Sequence, residues 1–218
     1  MLTCYFGVPG CGKTTLLTKF AVSELKKIKK GKSKYKNVYT NFYCKGAKQI
    51  SFYDLDKYSI YDSLIIFDEI TMYADNRDFK NFPKGIRDFF ILHRHLGNDI
   101  IYATQSYELV DKKIRQLTQE LWYMSKSVVP FFREFTNAKR IYREININEH
   151  TSDLILGYRF CNIIESFFTS NFKLCFRRLY YQYFDSFDDD VLCDRPIYDG
   201  LLWDYHKEFL LPNGEKID

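Results

Sequence analysis

Short apolar segments alternate with longer amphipathic segments over the first half of the chain. Four of the apolar segments have the length and composition of buried strands, and they cover residues 2–6, 37–42, 63–67 and 99–104. The third of these, SLIIF, is almost continuously hydrophobic, which is typical of a central parallel strand covered on both faces. The pattern therefore predicts a sheet whose middle strands are buried.

The amphipathic segments between these strands predict helices. From Lys13 onward apolar residues recur at helical spacing, lysines fill the last turns where the helix dipole favours cations, and Gly31 ends the helix. Pro83 begins a second helix that runs to about His95 and is closed by Gly97. Strands that alternate with helices predict an α/β fold with a mainly parallel sheet.

The alternation changes in the second half of the chain. A short helix is followed by a strand at residues 120–124. Residues 128–135 and 139–147 are predicted to form a C-terminal β-hairpin joined across residues 136–138. From residue 151 to about residue 184 the chain is rich in aromatic residues, and we predict a mostly helical extension there.

The length and composition fit one ordinary domain with an appendage. We predict a core over residues 1–125 and an extension over residues 126–218 that packs on it and ends in an acidic tail. The longest run without a charged residue is residues 1–12, far short of the roughly 20 apolar residues of a membrane-spanning helix. The six cysteines are scattered, without the spacing of a zinc site or a disulfide framework, so we expect a reducing, cytoplasmic setting.

Charge is distributed unevenly along the chain. Residues 1–50 contain 11 lysines and one acid, whereas residues 185–218 contain ten acids and three basic residues. The lysines between residues 26 and 36, followed by several aromatic residues, predict either a surface for nonspecific contact with nucleic-acid phosphates or an ordinary solvated helix end. Arg177 and Arg178, among tyrosines, are a weaker candidate of the same kind.

The strongest chemical signal is GVPGCGKT at residues 7–14, a full match to the phosphate-binding loop motif. It lies between a predicted strand and a predicted helix, where its backbone N–H groups and the helix N-terminus can bind phosphates; a plain glycine-rich turn is the alternative. Lys13 is expected to reach the β- and γ-phosphates of ATP, and the Thr14 hydroxyl to bind Mg²⁺. The residues predicted to contact the nucleotide are Gly7, Val8, Pro9, Gly10, Cys11, Gly12, Lys13, Thr14 and Thr15.

Two adjacent acids, Asp68 and Glu69, follow the predicted strand at residues 63–67. Asp68 is expected to hold Mg²⁺ through coordinated water, as the acid of phosphate-loop enzymes does. Glu69 is expected to be the general base that activates the attacking water. A solvated strand end is the alternative interpretation.

Gln105 follows the predicted strand at residues 99–104. We expect its carboxamide to sense the γ-phosphate and to hold the hydrolytic water, although it and Thr104 could instead cap the next helix. The order of these segments predicts an extra strand between the phosphate-loop strand and the acid-bearing strand. The predicted fold class is therefore an α/β P-loop NTPase of the additional-strand (ASCE, RecA/FtsK-like) type.

The segments GVPGCGKTT, SLIIFDEI and ILHRHLGNDIIYATQ, followed by DKKIRQL, carry a family resemblance. They resemble the zonula occludens toxin-like family of filamentous phage assembly ATPases, a branch of the FtsK/HerA translocase group. The resemblance covers residues 1–125, and RRLYYQYFDSFD at residues 177–188 is more loosely similar to the closing motif of the family.

The resemblance implies a homo-oligomeric, hexamer-like ring that hydrolyses ATP and extrudes single-stranded phage DNA during virion assembly at the inner membrane. Family members usually carry a transmembrane helix and an exported domain after the ATPase, and this chain has neither. Attachment to the membrane, if any, is therefore expected to go through a phage or membrane assembly protein.

Ring ATPases of this group complete each site with an arginine from the next subunit, which neutralises charge on the transferred phosphoryl group. Arg115 in DKKIRQL is the preferred candidate, and Arg94 is the second. For both, an ordinary surface or salt-bridge role is the alternative.

Three functions remain open from the sequence. The leading one is an ATP-driven motor that moves DNA, either in filamentous phage assembly or as the DNA-packaging ATPase of a non-filamentous element. A small-molecule kinase would need a lid with several arginines and no catalytic Glu69. A non-catalytic, nucleotide-dependent assembly scaffold would bind nucleotide without turnover.

Overall fold

The protein is described here from a computed structural model that covers residues 1–75, 83–126, 134–147, 154–162 and 171–184. Within these ranges three α-helices pack on one sheet: α1 (Lys13–Lys29), α2 (Lys84–Leu92) and α3 (Lys112–Leu117). The strands of the sheet are β1 (Leu2–Phe6), β2 (Asn37–Thr40), β3 (Lys48–Gln49), β4 (Ser63–Phe67), β5 (Asp99–Thr104), β6 (Glu120–Lys126), β7 (Phe135–Ile147), β8 (Leu154–Phe160) and β9 (Phe172–Phe176).

The strand order is β3-β2-β4-β5-β1-β6-β7-β8, and β9 also pairs with β7. The strands from β3 to β6 are parallel, whereas β7 runs antiparallel to β6, and both β8 and β9 run antiparallel to β7. β5 lies between β1 and β4, which confirms the predicted extra strand. Because β1, β4 and β5 are parallel, their carboxyl ends lie at the same edge of the sheet.

The side chains of β4 show why the sheet is covered on both faces. Leu64 and Ile66 pack with the buried side chains of α1, whereas Ile65 and Phe67 pack with those of α2. Successive side chains of a strand point to opposite faces, so a strand that is apolar at nearly every position needs a cover on both. The result is a three-layer α/β arrangement, as the hydrophobic pattern predicted.

The predicted elements of the first half are confirmed, with small differences at their ends. The strands predicted at residues 2–6, 63–67 and 99–104 have the predicted bounds, and α1 ends just before Gly31, whose φ of 63° is left-handed. β2 ends two residues earlier than predicted, and α2 ends at Leu92 rather than near His95. None of the helices in the described ranges is both long and apolar enough to cross a lipid bilayer.

The second half differs from the prediction. Residues 136–138 are not a turn, because they lie inside β7, where Thr136 and Ala138 are buried and Asn137 is only partly exposed. The part of the predicted strand at residues 128–133 lies outside the described residues, as does the acidic tail. The boundary predicted at residue 125 stays a prediction; it falls within β6, which pairs with both β1 and β7.

The predicted helical extension is also wrong where the structure describes it. Residues 154–160 and 172–176 are strands, and the residues after them form single 3₁₀ turns at Arg177–Leu179 and Tyr181–Tyr183. Short apolar runs do not distinguish a strand from a buried helix by periodicity alone. In β9 the deciding pattern is the period of two, with exposed Phe172 and Leu174 alternating with buried Cys175.

β9 is anchored to the core by a lysine enclosed by aromatic rings. The Lys173 ammonium donates a hydrogen bond to the Tyr5 hydroxyl at 2.6 Å and lies 4.1 Å from the Trp122 ring centre and 5.1 Å from that of Phe20. Burial lowers the pKa of Lys173 below its usual value. The Lys19 ammonium adds a hydrogen bond of 2.7 Å to the Leu174 carbonyl. Cation–π contacts and hydrogen bonds thus hold β9 against α1, β1 and β6.

Replacing Lys173 with alanine is expected to destabilise the protein by about 2 kcal/mol, because a partly desolvated cation–π contact and a buried hydrogen bond are both lost. Urea unfolding measures the loss. Lys139→Ala is the matched control, since Lys139 lies on the neighbouring strand β7 but is exposed. Equal free energies of unfolding for the two variants would contradict an anchoring role.

Candidate nucleotide-binding site

The loop between β1 and α1 has the backbone of a phosphate-binding turn. Gly10 and Gly12 have φ of 69° and 93°, which are left-handed values that side chains disfavour. A Cβ at Gly12 would also clash with the Thr136 hydroxyl, which donates a hydrogen bond of 2.9 Å to the Cys11 carbonyl. The loop therefore needs glycine at position 12 both for its own shape and for the close approach of β7.

Lys13 is the first residue of α1 and lies within the loop. Its side chain is only 8% exposed, and its ammonium donates hydrogen bonds to the carbonyls of Gly7 at 3.0 Å and Val8 at 3.4 Å. The positive charge is therefore held beneath the loop, at the N-terminus of a helix, where anions are favoured.

Thr14 and Asp68 join the loop to the end of β4. The Thr14 hydroxyl donates a hydrogen bond to the Asp68 carboxylate. Asn41, just after β2, fixes the Asp68 backbone from both sides: its amide donates to the Asp68 carbonyl at 2.9 Å, and its carbonyl accepts from the Asp68 N–H at 2.7 Å. The metal-binding acid predicted from the sequence is thus rigidly oriented towards the predicted metal-binding hydroxyl.

The environment of Asp68 disfavours its charge. Burial raises the pKa of Asp68 and neighbouring Glu69 raises it further, whereas the hydrogen bond from Thr14 and the charge of Lys13 lower it. A cation beside this carboxylate would offset the cost of its ionisation. Mg²⁺ commonly binds proteins through one or two carboxylates and takes its other ligands from water and phosphate oxygens, so Thr14 and Asp68 fit such a site. In the described ranges no cluster of three or more His, Cys, Asp or Glu residues could form an all-protein metal site instead.

Glu69 has a strained backbone and a defined side-chain position. Its φ of 46° and ψ of 56° are left-handed, a conformation that costs a non-glycine residue about 1–3 kcal/mol. Its carboxylate accepts hydrogen bonds from the Thr71 hydroxyl at 2.7 Å and from the backbone N–H of Gln105 at 3.3 Å. Gln105 itself is exposed at the end of β5. Glu69 and Gln105, which are predicted to activate and to hold the attacking water, are therefore neighbours.

These side chains surround one cleft of about 650 Å³ at the carboxyl edge of the sheet, where parallel α/β sheets bind ligands. Among the predicted nucleotide-contacting residues, Gly7, Val8 and Cys11 do not line the cleft. The lining residues are Pro9, Gly10, Gly12, Lys13, Thr14, Thr15, Asp68, Glu69, Gln105, Arg177, Tyr181 and Phe184.

Neither predicted trans-acting arginine lines the cleft of its own chain. Arg115 lies on α3 beside a separate cavity of about 160 Å³, and its Nε is buried without a hydrogen-bond partner among the described residues. Arg94 lies with Asp62 and Gly97 near the amino ends of β4 and β5, which is the opposite edge of the sheet. Their action on a neighbouring subunit stays a prediction.

The lysines predicted as a nucleic-acid surface are exposed and lie near this opposite edge. Three of them form ion pairs: Lys27 with Glu24, Lys34 with Asp99 and Lys36 with Asp62. The remaining lysines of the cluster, for which the described part of the chain shows no ion pair, are Lys26, Lys29, Lys30 and Lys32.

The sequence did not indicate several residues that build the site. Asn41 directly follows β2, as Asp68 follows β4, but the strand predicted at residues 37–42 included it. Thr136 and Arg177 carry no such signal, since only the pairing of β7 and β9 brings them to the loop. Arg177, considered above for nucleic acid, instead donates a hydrogen bond to the Gly10 carbonyl at 3.4 Å.

A phosphate-binding loop between β1 and α1, with an extra strand between β1 and the acid-bearing β4, defines the fold of a P-loop NTPase. Two family models agree with this class. The model of the zonular occludens toxin (Zot) family matches residues 45–155, just over half of the chain, and that of the viral superfamily 1 RNA helicase core domain matches residues 4–77. The chain therefore belongs to the Zot family.

Several solved structures are similar to this chain, and the first of those given below, with a TM-score above 0.5, has the same fold. The N-terminal domain of zonular occludens toxin from Neisseria meningitidis is 16% identical, with a TM-score of 0.55 over 84% of this chain and 98% of that chain. The genome packaging NTPase B204 from Sulfolobus turreted icosahedral virus 2, in complex with ATP-gammaS, is 11% identical, with a TM-score of 0.42 over 71% of this chain and 95% of that chain. The flagellar accessory protein FlaH from Methanocaldococcus jannaschii is 14% identical, with a TM-score of 0.44 over 72% of this chain and 88% of that chain. No curated protein matches the chain.

Asp68→Asn is expected to stabilise the nucleotide-free protein at neutral pH by a few degrees in melting temperature. Asparagine can keep the contacts to Thr14 and to the Glu69 N–H without the buried charge. Folding raises the pKa of Asp68. Ionisation of this carboxyl therefore destabilises the fold at pH values above the raised pKa. Protonation removes the destabilisation as the pH falls through this pKa. The difference in melting temperature should therefore shrink towards acid pH.

Thermal unfolding across a pH series measures this difference. Asp88→Asn on α2, outside the cleft, is the control for removal of an acid away from the site. Added Mg²⁺ with nucleotide should stabilise the wild type more than Asp68→Asn. An Asp68→Asn variant that melts below the wild type at every pH would contradict the unfavourable burial of this charge.

Proposed function

We propose that this protein is an ATP-hydrolysing motor that moves DNA during phage assembly, acting as a homo-oligomeric ring. The observation that carries the enzymatic part is the convergence of Lys13, Thr14, Asp68, Glu69 and Gln105 on one cleft beside a phosphate-binding loop. These side chains come from two strand ends and one helix start, and together they have the chemistry of phosphoryl transfer to water.

Each residue has a distinct role in the proposed reaction. The loop N–H groups and Lys13 bind the phosphates of ATP, and Thr14 and Asp68 hold the metal site. Bound Mg²⁺ would supply charge neutralisation on the β- and γ-phosphate oxygens. Glu69 accepts a proton from the attacking water, and the Gln105 carboxamide orients that water towards the γ-phosphate.

The motor, phage and DNA parts of the proposal rest on the family. Membership of the Zot family and the resemblance to filamentous phage assembly ATPases support a role in extruding single-stranded phage DNA. The alternative is a DNA-packaging ATPase of a non-filamentous element. On this proposal the protein works in the cytoplasm of a bacterial host, with a membrane assembly partner where contact with the inner membrane is needed.

Glu69→Gln is expected to lower the turnover number for ATP by about 100-fold or more while leaving ATP binding intact, because loss of a general base removes a proton acceptor but no phosphate contact. Steady-state hydrolysis with Mg²⁺ measures turnover, with and without single-stranded DNA, and light scattering follows the oligomeric state. Wild-type turnover should rise with DNA.

Glu108→Gln is the matched control, since Glu108 is exposed and outside the cleft. Wild-type protein that binds ATP without turnover under all these conditions would contradict the motor and favour the assembly scaffold. Substantial turnover in Glu69→Gln would show that another group is the base.

An arginine supplied by the neighbouring subunit can be tested by mixing inactive variants. Lys13→Ala cannot bind nucleotide but keeps Arg115, whereas Arg115→Ala keeps its own nucleotide site. If Arg115 acts across the interface, each variant alone should be inactive and the mixture should recover part of the ATPase activity. The backbone carbonyl of Arg115, which accepts a hydrogen bond from Arg143 at 2.7 Å, is kept in the alanine variant.

The same mixture with Arg94→Ala tests the second candidate. A mixture of Lys13→Ala and Arg115→Ala that assembles by light scattering yet stays inactive would contradict a trans role for Arg115. Full activity of Arg115→Ala alone would also contradict a trans role for Arg115.

A further inference from the structure

The segment after β9, residues 177–184, forms part of the wall of the nucleotide cleft. At its start the Arg177 guanidinium donates a hydrogen bond of 3.4 Å to the Gly10 carbonyl in the phosphate-binding loop. Near its end the Tyr183 carbonyl accepts a hydrogen bond of 2.9 Å from the backbone N–H of Lys45, beyond β2. The segment is therefore attached both to the phosphate-binding loop and to the residues beyond β2, and three of its side chains line the cleft: Arg177, Tyr181 and Phe184.

Arg177 places a second positive charge at the loop. Its aliphatic chain lies against Gly12, on the side from which β7 approaches, and its guanidinium reaches Gly10. Lys13 and Arg177 are the cationic side chains among the described residues that line the cleft. An arginine guanidinium binds phosphate oxygens through paired, charge-assisted hydrogen bonds, so its position beside the loop suits the phosphates of a nucleotide.

The two aromatic side chains form an apolar wall. The rings of Tyr181 and Phe184 meet edge to face with their centres 6.2 Å apart. Phe184 is buried, whereas Tyr181 is 46% exposed, and both side chains line the cleft. Aromatic rings bind nucleobases by stacking, which every base allows.

The cleft is therefore asymmetric. The carboxylates of Asp68 and Glu69 and the carboxamide of Gln105 lie at the ends of β4 and β5. The aromatic wall belongs to the segment that follows β9. A nucleotide bound with its γ-phosphate near Glu69 would have its base available to the other wall.

We propose that residues 177–184 form the base- and phosphate-binding wall of the site from the same chain: Arg177 binds the nucleotide phosphates and the Tyr181 ring packs on the base. This inference rests on the proposed nucleotide binding and adds to it the residues that hold the base. It also explains why β9 is anchored by Lys173 and Lys19, because a wall that contacts ligand must be held firmly against the loop.

Two ligands separate the two roles. The non-hydrolysable analogue AMP-PNP has both base and phosphates, whereas inorganic tripolyphosphate has phosphates alone. Calorimetric titration of each ligand, with Mg²⁺, gives the two dissociation constants for every variant. Their ratio reports how much the nucleoside contributes to binding.

Tyr181→Ala is expected to weaken AMP-PNP binding by about tenfold and to leave tripolyphosphate binding unchanged, because only the stacking contact is lost. Arg177→Gln is expected to weaken both ligands by about tenfold or more and to leave their ratio unchanged, because a charged contact to phosphate is lost. Arg177→Lys should recover part of that loss.

The matched controls lie in the same segment. Leu179→Ala and Arg178→Gln change exposed side chains that do not line the cleft, and both should bind the two ligands as the wild type does. Melting temperatures without ligand show which variants keep the fold. If a variant is unstable, the conservative Arg177→Lys and Tyr181→Leu variants provide the comparison.

The outcomes distinguish this inference from the proposed function. We expect only Lys13→Ala to lose binding of both ligands. If the wild-type protein binds neither ligand, the proposed function and the inference are both overturned. Wild-type protein that binds AMP-PNP while folded Tyr181 and Arg177 variants bind it equally well would overturn the inference alone. Weakening of tripolyphosphate binding by Tyr181→Ala would show that the ring supports the loop and does not hold the base.

Discussion

Thr14 and Asp68 come from opposite sides of β5, and their hydrogen bond depends on the parallel arrangement of the central strands. Because β1, β5 and β4 point the same way, the phosphate-binding loop, Gln105 and the two acids emerge at one edge. Asn41 after β2 then fixes Asp68 by two hydrogen bonds. If any one of these strands ran the other way, its polar end would lie at the far edge and the cleft would lose that wall.

This arrangement has an energetic cost at Asp68 and Glu69. Burial and the adjacent Glu69 raise the pKa of Asp68, and Glu69 itself has a left-handed backbone. Strain and unfavourable charge commonly mark functional sites, where ligand binding offsets them. In the proposed function Mg²⁺ and nucleotide would offset the buried charge of Asp68 and the backbone strain of Glu69. Binding of these ligands would therefore stabilise the protein.

The strands that follow the parallel core are part of the same site. Thr136 on β7 approaches Gly12 so closely that no side chain fits there, and Lys173 holds β9 against Tyr5 and Trp122. The segment after β9 then reaches the loop with Arg177. Prediction missed these contacts for a physical reason: most of them join residues more than 100 positions apart, and a long strand such as β7 gives no local sign of its partners. The asparagine in the Thr-Asn-Ala stretch favoured a turn, although the same three residues alternate inward and outward in the strand.

The sequence by itself determined the elements of the parallel half and the chemical groups at their ends. Local rules suffice there, because glycine spacing, helical periodicity and short apolar runs act over a few neighbouring residues. Only the tertiary structure decided which distant groups meet: Asn41 with Asp68, Thr136 with the loop, and Arg177 with Gly10. Strand pairing depends on packing between segments that are distant in the sequence, and no local pattern in residues 134–184 predicts it.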